Sequence, residues 1–117
     1  MEHRRADRVG DLVLRELAEV LLRKVKDPRL AGVTLTEVEV STDLRQARVF
    51  YSVLGGDEAR AAAASGLDSA RGFLKRQLGR TLELKHMPEL VFFFDASLEH
   101  GSRMERLLDE LKKSEGR

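Results

Sequence analysis

Apolar residues recur at three- and four-residue steps near the start of the chain: Val9, Leu12, Val13, Leu17, Val20 and Leu21. That period belongs to one buried helical stripe, and it predicts a helix from about Arg4 to Lys24. Arg4, Arg5, Arg8, Asp11, Arg15, Glu19 and Arg23 fall mostly on the other side. Asp27-Pro28 stops the helix, because proline disfavours helical geometry in the residue before it. The period then changes. Val33–Ser41 and Gln46–Leu54 are rich in β-branched residues, and Thr42-Asp43-Leu44-Arg45 between them has turn chemistry at Asp43, so a hairpin is expected. Ala47, Val49, Tyr51 and Val53 share one face of the second strand, and Arg48, Phe50 and Ser52 the other. In the first strand Val33 and Leu35 alternate in one phase and Val38 and Val40 in the opposite one. A bulge near Thr36-Glu37 accounts for the switch, as does a strand covered on both faces.

Gly55-Gly56-Asp57 closes the hairpin, with Asp57 placed to cap the next helix. The alanine-rich run Glu58–Ala64 is strongly helical, and Ala63, Leu67, Ala70, Leu74 and Leu78 carry the period to about Gly79. Gly66 and Gly72 interrupt it, each at a cost of about 1 kcal/mol relative to alanine. Such a cost suggests a bend, a close contact or a function. After Pro88 a third strand is predicted over Leu90–Asp95, apolar on both faces (Leu90, Phe92, Phe94 and Val91, Phe93). A last helix begins near Ser102, with Met104, Leu107, Leu108 and Leu111 on one stripe. The order α-β-β-α-bend-α-β-α describes an α+β sandwich of helices on a small three-stranded sheet. The last helix or a partner would cover the sheet's second face. Leu17, Val49, Tyr51, Leu74, Leu78 and Phe92 are the expected core.

At 117 residues, 42% hydrophobic and 35% charged, the chain suits one globular domain over 1–117, with short flexible ends at about 1–4 and 112–117. It has no cysteine, hence no disulfide framework and no thiolate metal site. No apolar stretch follows Arg4-Arg5 as in a secretory signal, and none approaches the roughly 20 residues of a membrane span. A soluble, cytoplasmic protein is expected. The net charge of +1 hides a segregation. Ala70–His86 holds five basic residues (Arg71, Lys75, Arg76, Arg80, Lys85) against Glu83, a local +4, whereas Glu89–Glu110 carries a local −4.

Catalytic motifs are missing. There is no Gly-x-Ser-x-Gly elbow and no phosphate-binding loop, since Gly55-Gly56 is too short. Asp95, Glu99 and His100 match no ligand spacing, so neither a metal nor a cofactor is expected. The candidate is Ser69–Arg76. A helix restarting at Gly72 would offer free N–H groups and a partial positive charge to a phosphate, with Arg71, Lys75 and Arg76 within about a turn. The plain alternative is a solvated basic face on a kinked helix.

Several segments in order carry a resemblance. Asp27-Pro28-Arg29-Leu30, Val38-Glu39-Val40-Ser41-Thr42-Asp43-Leu44 with Ala47-Arg48-Val49, Ala70-Arg71-Gly72-Phe73-Leu74-Lys75-Arg76, Pro88-Glu89-Leu90-Val91-Phe92 and Asp95-Ala96-Ser97 together resemble the ribosome-binding factor A family. The likeness spans roughly Arg4 to Leu111. It implies a type II KH-like fold with an Ala-x-Gly kink at Ala70–Gly72, and a non-enzymatic role in late maturation of the small (30S) ribosomal subunit and in cold adaptation. It further implies contact with 16S rRNA, cooperation with assembly GTPases, and a monomer. Arg71, Gly72, Lys75, Arg76, Arg80 and Lys85 are the RNA-binding candidates. Lys75 keeps the charge of an arginine but not its fork, and no long basic tail follows Leu111. With few aromatics outside strands, phosphate contact is expected to outweigh base stacking. A helix-turn-helix DNA-binding protein and an adaptor without RNA contact are the alternatives, with a small hydrolase more distant.

Overall fold

The structure, a computed structural model, describes residues 2–84 and 86–96, with side chains from Arg5 onward. Helix α1 spans Glu2–Arg23, a single 3-10 turn Pro28–Leu30, strands β1 Val33–Val40 and β2 Gln46–Val53, helix α2 Asp57–Leu82 and strand β3 Glu89–Phe94. The sheet runs β1-β2-β3, with β1 antiparallel and β3 parallel to β2. Both helices lie on one face of it.

The α1 stripe is Ala6, Val9, Val13, Leu17 and Val20, all buried. Leu12, predicted to join it, is 45% exposed, because it lies about a quarter-turn from Val13 and on the outer side. Gly10 lets α1 sit against β1, since a Cβ there would stand 2.7 Å from the Val38 carbonyl oxygen. Asp27 caps the 3-10 turn, its carboxylate accepting from the Arg29 N–H at 2.9 Å and from the Arg29 guanidinium. Arg29 also donates to the Ser65 hydroxyl at 3.1 Å, pinning the turn to α2. Gly66 permits that contact: a Cβ there would meet Leu30 at 2.9 Å. This interior glycine is explained by packing.

The hairpin forms as its pattern predicts. Pairing shifts between Leu35↔Tyr51 and Glu37↔Phe50, which leaves Thr36 as the bulged residue and reverses the inward phase. The Thr36 hydroxyl donates to Asp95 at 2.7 Å, tying the bulge to the end of β3. In the turn, Asp43 accepts from the Ser41 hydroxyl and the Arg45 N–H, and Leu44 takes a left-handed φ of 61°.

Val38, Ala47, Val49 and Leu90 from the sheet meet Val13, Leu17, Leu74 and Leu78 from the helices. A second group, Leu30, Tyr51, Ala63 and Leu67, continues the core toward the other end. Of the expected core, Leu17, Val49, Tyr51, Leu74 and Leu78 are buried, and burial pushes the Tyr51 phenol pKa up. Phe92 is half-buried at the margin, where the Arg71 guanidinium lies over its ring.

Two expectations are corrected. The two helices expected on either side of Ala70–Gly72 are one continuous helix, Asp57–Leu82. Burial of Leu67, Leu74 and Leu78, each typically stabilising by about 1.5–3 kcal/mol, outweighs the propensity cost of two glycines. Asp57 does not cap α2 either. Gly56 holds that position without a side-chain bond, and Asp57 and Glu58 lie in the first turn, where acids favour the helix dipole. The expected helix from Ser102 lies outside the described residues.

Candidate nucleic-acid interface

With α2 continuous, the N–H groups around Gly72 are spent inside the helix and cannot receive a phosphate. The real N-terminus of α2 is acidic and equally unsuited to an anion. The expected helix-terminus site is thereby removed, and any anion contact must come from side chains. The two helices a helix-turn-helix requires are likewise one helix here.

Burial of Ala63, Leu67, Leu74 and Leu78 fixes the inner face of α2, and the candidate cations divide onto its two flanks. Arg71 and Lys75 point toward β3 and are engaged. Arg71 pairs with Asp68 at 3.0 Å and lies 5.8 Å from the centroid of Phe92. Lys75 binds the Glu89 carboxylate, and this hydrogen bond holds the Glu89 pKa below the usual carboxylate range. Arg76 and Arg80, one turn apart, are exposed on the opposite flank with Ser69 and Phe73. Among the described residues they have no acidic partner. Lys85 lies outside the described residues.

Sequence reasoning missed the residues that face this second flank. Lys24, Lys26 and Arg29, with Asp27 and Pro28, join Ser69, Ala70 and Phe73 in lining one shallow cavity. The Lys24 ammonium donates to Gln77 at 3.0 Å, fixing the end of α1 to α2 one residue beyond Arg76. Lys26 is exposed, whereas Arg29 is occupied by Asp27 and Ser65. The run Lys24-Val25-Lys26 was a visible signal, but only folding shows that it faces α2.

Gly72 lies near Arg76 on the outer surface. Among the described residues a Cβ there would meet only the Arg76 guanidinium, at 3.3 Å, so no packing among them requires the glycine. What it leaves is a bare length of backbone beside a row of cations, which lets a sugar–phosphate chain approach closely.

Residues 5–108 match the family model described as ribosome-binding factor A. A protein of that name from Syntrophobacter fumaroxidans is 48% identical over 117 residues, covering 98% of this chain and 100% of the relative. One from Halothermothrix orenii is 42% identical over 115 residues, covering 98% and 94%. The crystal structure of ribosome-binding factor A from Thermus thermophilus superposes with a TM-score of 0.68 at 26% identity, covering 76% of this chain and 93% of that one. A homology model of the Thermus thermophilus factor, fitted into the cryo-EM map of a 30S complex, gives 0.65 at 25% identity, covering 78% and 96%. Motif order, fold and near full-length identity agree, and the chain belongs to the ribosome-binding factor A family.

Proposed function

We propose that this protein binds the small ribosomal subunit by setting the flank formed by Lys24, Lys26, Arg76 and Arg80 against phosphates of 16S rRNA, and so assists late rRNA processing and subunit assembly. The observation that carries the reading is the cavity in which Lys24 and Lys26 join Ser69 and Phe73, on the flank of α2 whose helical phase also presents Arg76 and Arg80. The fit of a Thermus relative into a 30S complex supports the partner. Gly72 supplies close approach, and Arg71 and Lys75 act at the margin by holding α2 to β3. KH-type domains grip irregular RNA through its backbone, which suits cations on a helix flank beside exposed glycine. Action in the cytoplasm as a monomer, without catalysis of its own and alongside assembly GTPases, belongs to the same reading.

Co-sedimentation with small ribosomal subunits at two salt concentrations tests it. Phosphate contacts release counterions, so affinity should fall steeply with salt, by a log–log slope of about 0.7 per phosphate on single strands. Arg76→Glu with Arg80→Glu should weaken binding and flatten that slope. A folded double variant that binds with wild-type affinity and slope would refute this placement of the RNA face.

A further inference from the structure

A cavity of about 590 Å³ lies between the first turns of α1, the β1–β2 turn and the loop leading into β3. That size falls within the roughly 300–1,000 Å³ of small-ligand sites. Its inner wall is apolar. Val9 and Pro88 are buried, and Leu44, Leu84 and Met87 are partly buried against the core. Its rim is charged: Arg5, Arg45 and His86, all exposed, come from three separate segments. Among the described residues Asp43 is the one carboxylate that lines it.

The backbone around this cavity is fixed and strained. The Glu89 N–H donates to the Arg45 carbonyl at 2.8 Å, which holds the loop against the turn. Leu44 and Glu83 are the two non-glycine residues of positive φ among the described ones, at 61° and 47°. Leu44 lines the cavity, and Glu83 immediately precedes Leu84. A leucine rarely adopts that geometry, and such strain gathers where a chain is shaped for a ligand.

An apolar wall beneath a cationic rim calls for a flat apolar group on an anionic backbone. A bare phosphate would leave the wall unused, and an apolar side chain would leave the arginines without a counter-charge. An unstacked nucleotide satisfies both. Asp43 is held below the usual carboxylate range by the Ser41 hydroxyl and then the Arg45 N–H. It therefore stays an acceptor for the N–H groups on a base edge. Arg80 lies four residues before Leu84, so a backbone that follows the α2 flank reaches the cavity. We propose, resting on the reading that this chain binds rRNA, that the cavity takes one unstacked nucleotide of single-stranded RNA. Its base lies against Leu44, Leu84 and Met87, and its flanking phosphates meet Arg5, Arg45 and His86.

Methyl NMR of the full chain tests this, with a pool of random-sequence RNA hexamers as the probe. The control is a hexamer of the same sugar–phosphate backbone without bases. The Leu44, Leu84 and Met87 methyl signals should move saturably with the pool, and at least about fivefold less with the abasic hexamer, as expected for a contact made by the base. Arg5→Gln with Arg45→Gln should weaken binding of the pool roughly tenfold by removing charged hydrogen bonds, whereas Arg76→Glu with Arg80→Glu should keep the base-dependent shifts. Methyl signals that stay put with the pool, or move equally with both probes, overturn the cavity site even if small-subunit binding is intact. Base-dependent shifts in a protein whose subunit binding ignores Arg76 and Arg80 would instead support the cavity and remove only the placement of the RNA face on α2.

Discussion

Gly10 and Gly72 both sit inside helices, yet a methyl group added at each meets different surroundings. At Gly10 the methyl would stand 2.7 Å from the Val38 backbone oxygen, which the β1–β2 ladder holds in place. At Gly72 the nearest atom is the flexible end of Arg76 at 3.3 Å. Gly10→Ala should therefore destabilise by about 1–3 kcal/mol, the usual cost of overpacking, and Gly72→Ala should stabilise by up to about 1 kcal/mol through helix propensity. Urea unfolding of both variants checks the pair, and a stabilised Gly10→Ala would mean that α1 can lift from the sheet. Gly72→Ala should nevertheless weaken ribosomal-subunit binding if close backbone approach matters. From sequence alone the two kinds of glycine look alike. Propensity registers the cost of each but not what lies opposite, which is why Gly72 suggested a break while Gly10 attracted no notice.

Elements held together by apolar period were legible, and those held by polar contacts across the chain were not. The stripe on α1 and the phase switch at Thr36 are local patterns, and both reappear in the fold. The fully buried Leu74 follows from the same period, and Leu74→Ala should cost about 2–5 kcal/mol in urea unfolding. By contrast, the turn between α1 and β1 depends on Asp27, Arg29 and Ser65, and nothing local indicates that Ser65 is part of it. The Asp27 pKa is lowered, first by side-chain hydrogen bonds from Arg29 and then by the Arg29 backbone N–H. Because its folded-state value is depressed, Asp27 contributes stability above its unfolded pKa and loses that contribution as pH falls through the folded one. A carboxyl-carbon NMR titration should thus place the Asp27 midpoint below that of an ordinary aspartate. Arg29→Ala should raise it toward the ordinary value, and no movement would remove Arg29 as the cause.

Across the whole molecule, a net charge of +1 conceals local groupings of opposite sign. Lys24 and Lys26 line a cavity with Ser69 and Phe73, on the flank of α2 that also carries Arg76 and Arg80, while Glu37 and Glu39 are exposed on β1. A window of local charge finds α2 as basic but cannot assign its cations to flanks. Arg71 and Lys75, equal to Arg76 in such a window, are spent on Asp68 and Glu89. The segregation leads to a prediction about sides rather than residues. Lys24→Glu with Lys26→Glu should weaken small-subunit binding and flatten its salt dependence about as much as Arg76→Glu with Arg80→Glu, because each pair removes neighbouring contacts to one phosphate chain. Glu37→Lys with Glu39→Lys adds a comparable positive change to net charge on the opposite face, and should leave the salt slope unaltered at physiological ionic strength, where the Debye length is about 8 Å. If the sheet-face reversal instead strengthens binding as much as the helical-side reversals weaken it, overall charge governs the association and the α2 flank loses its special role.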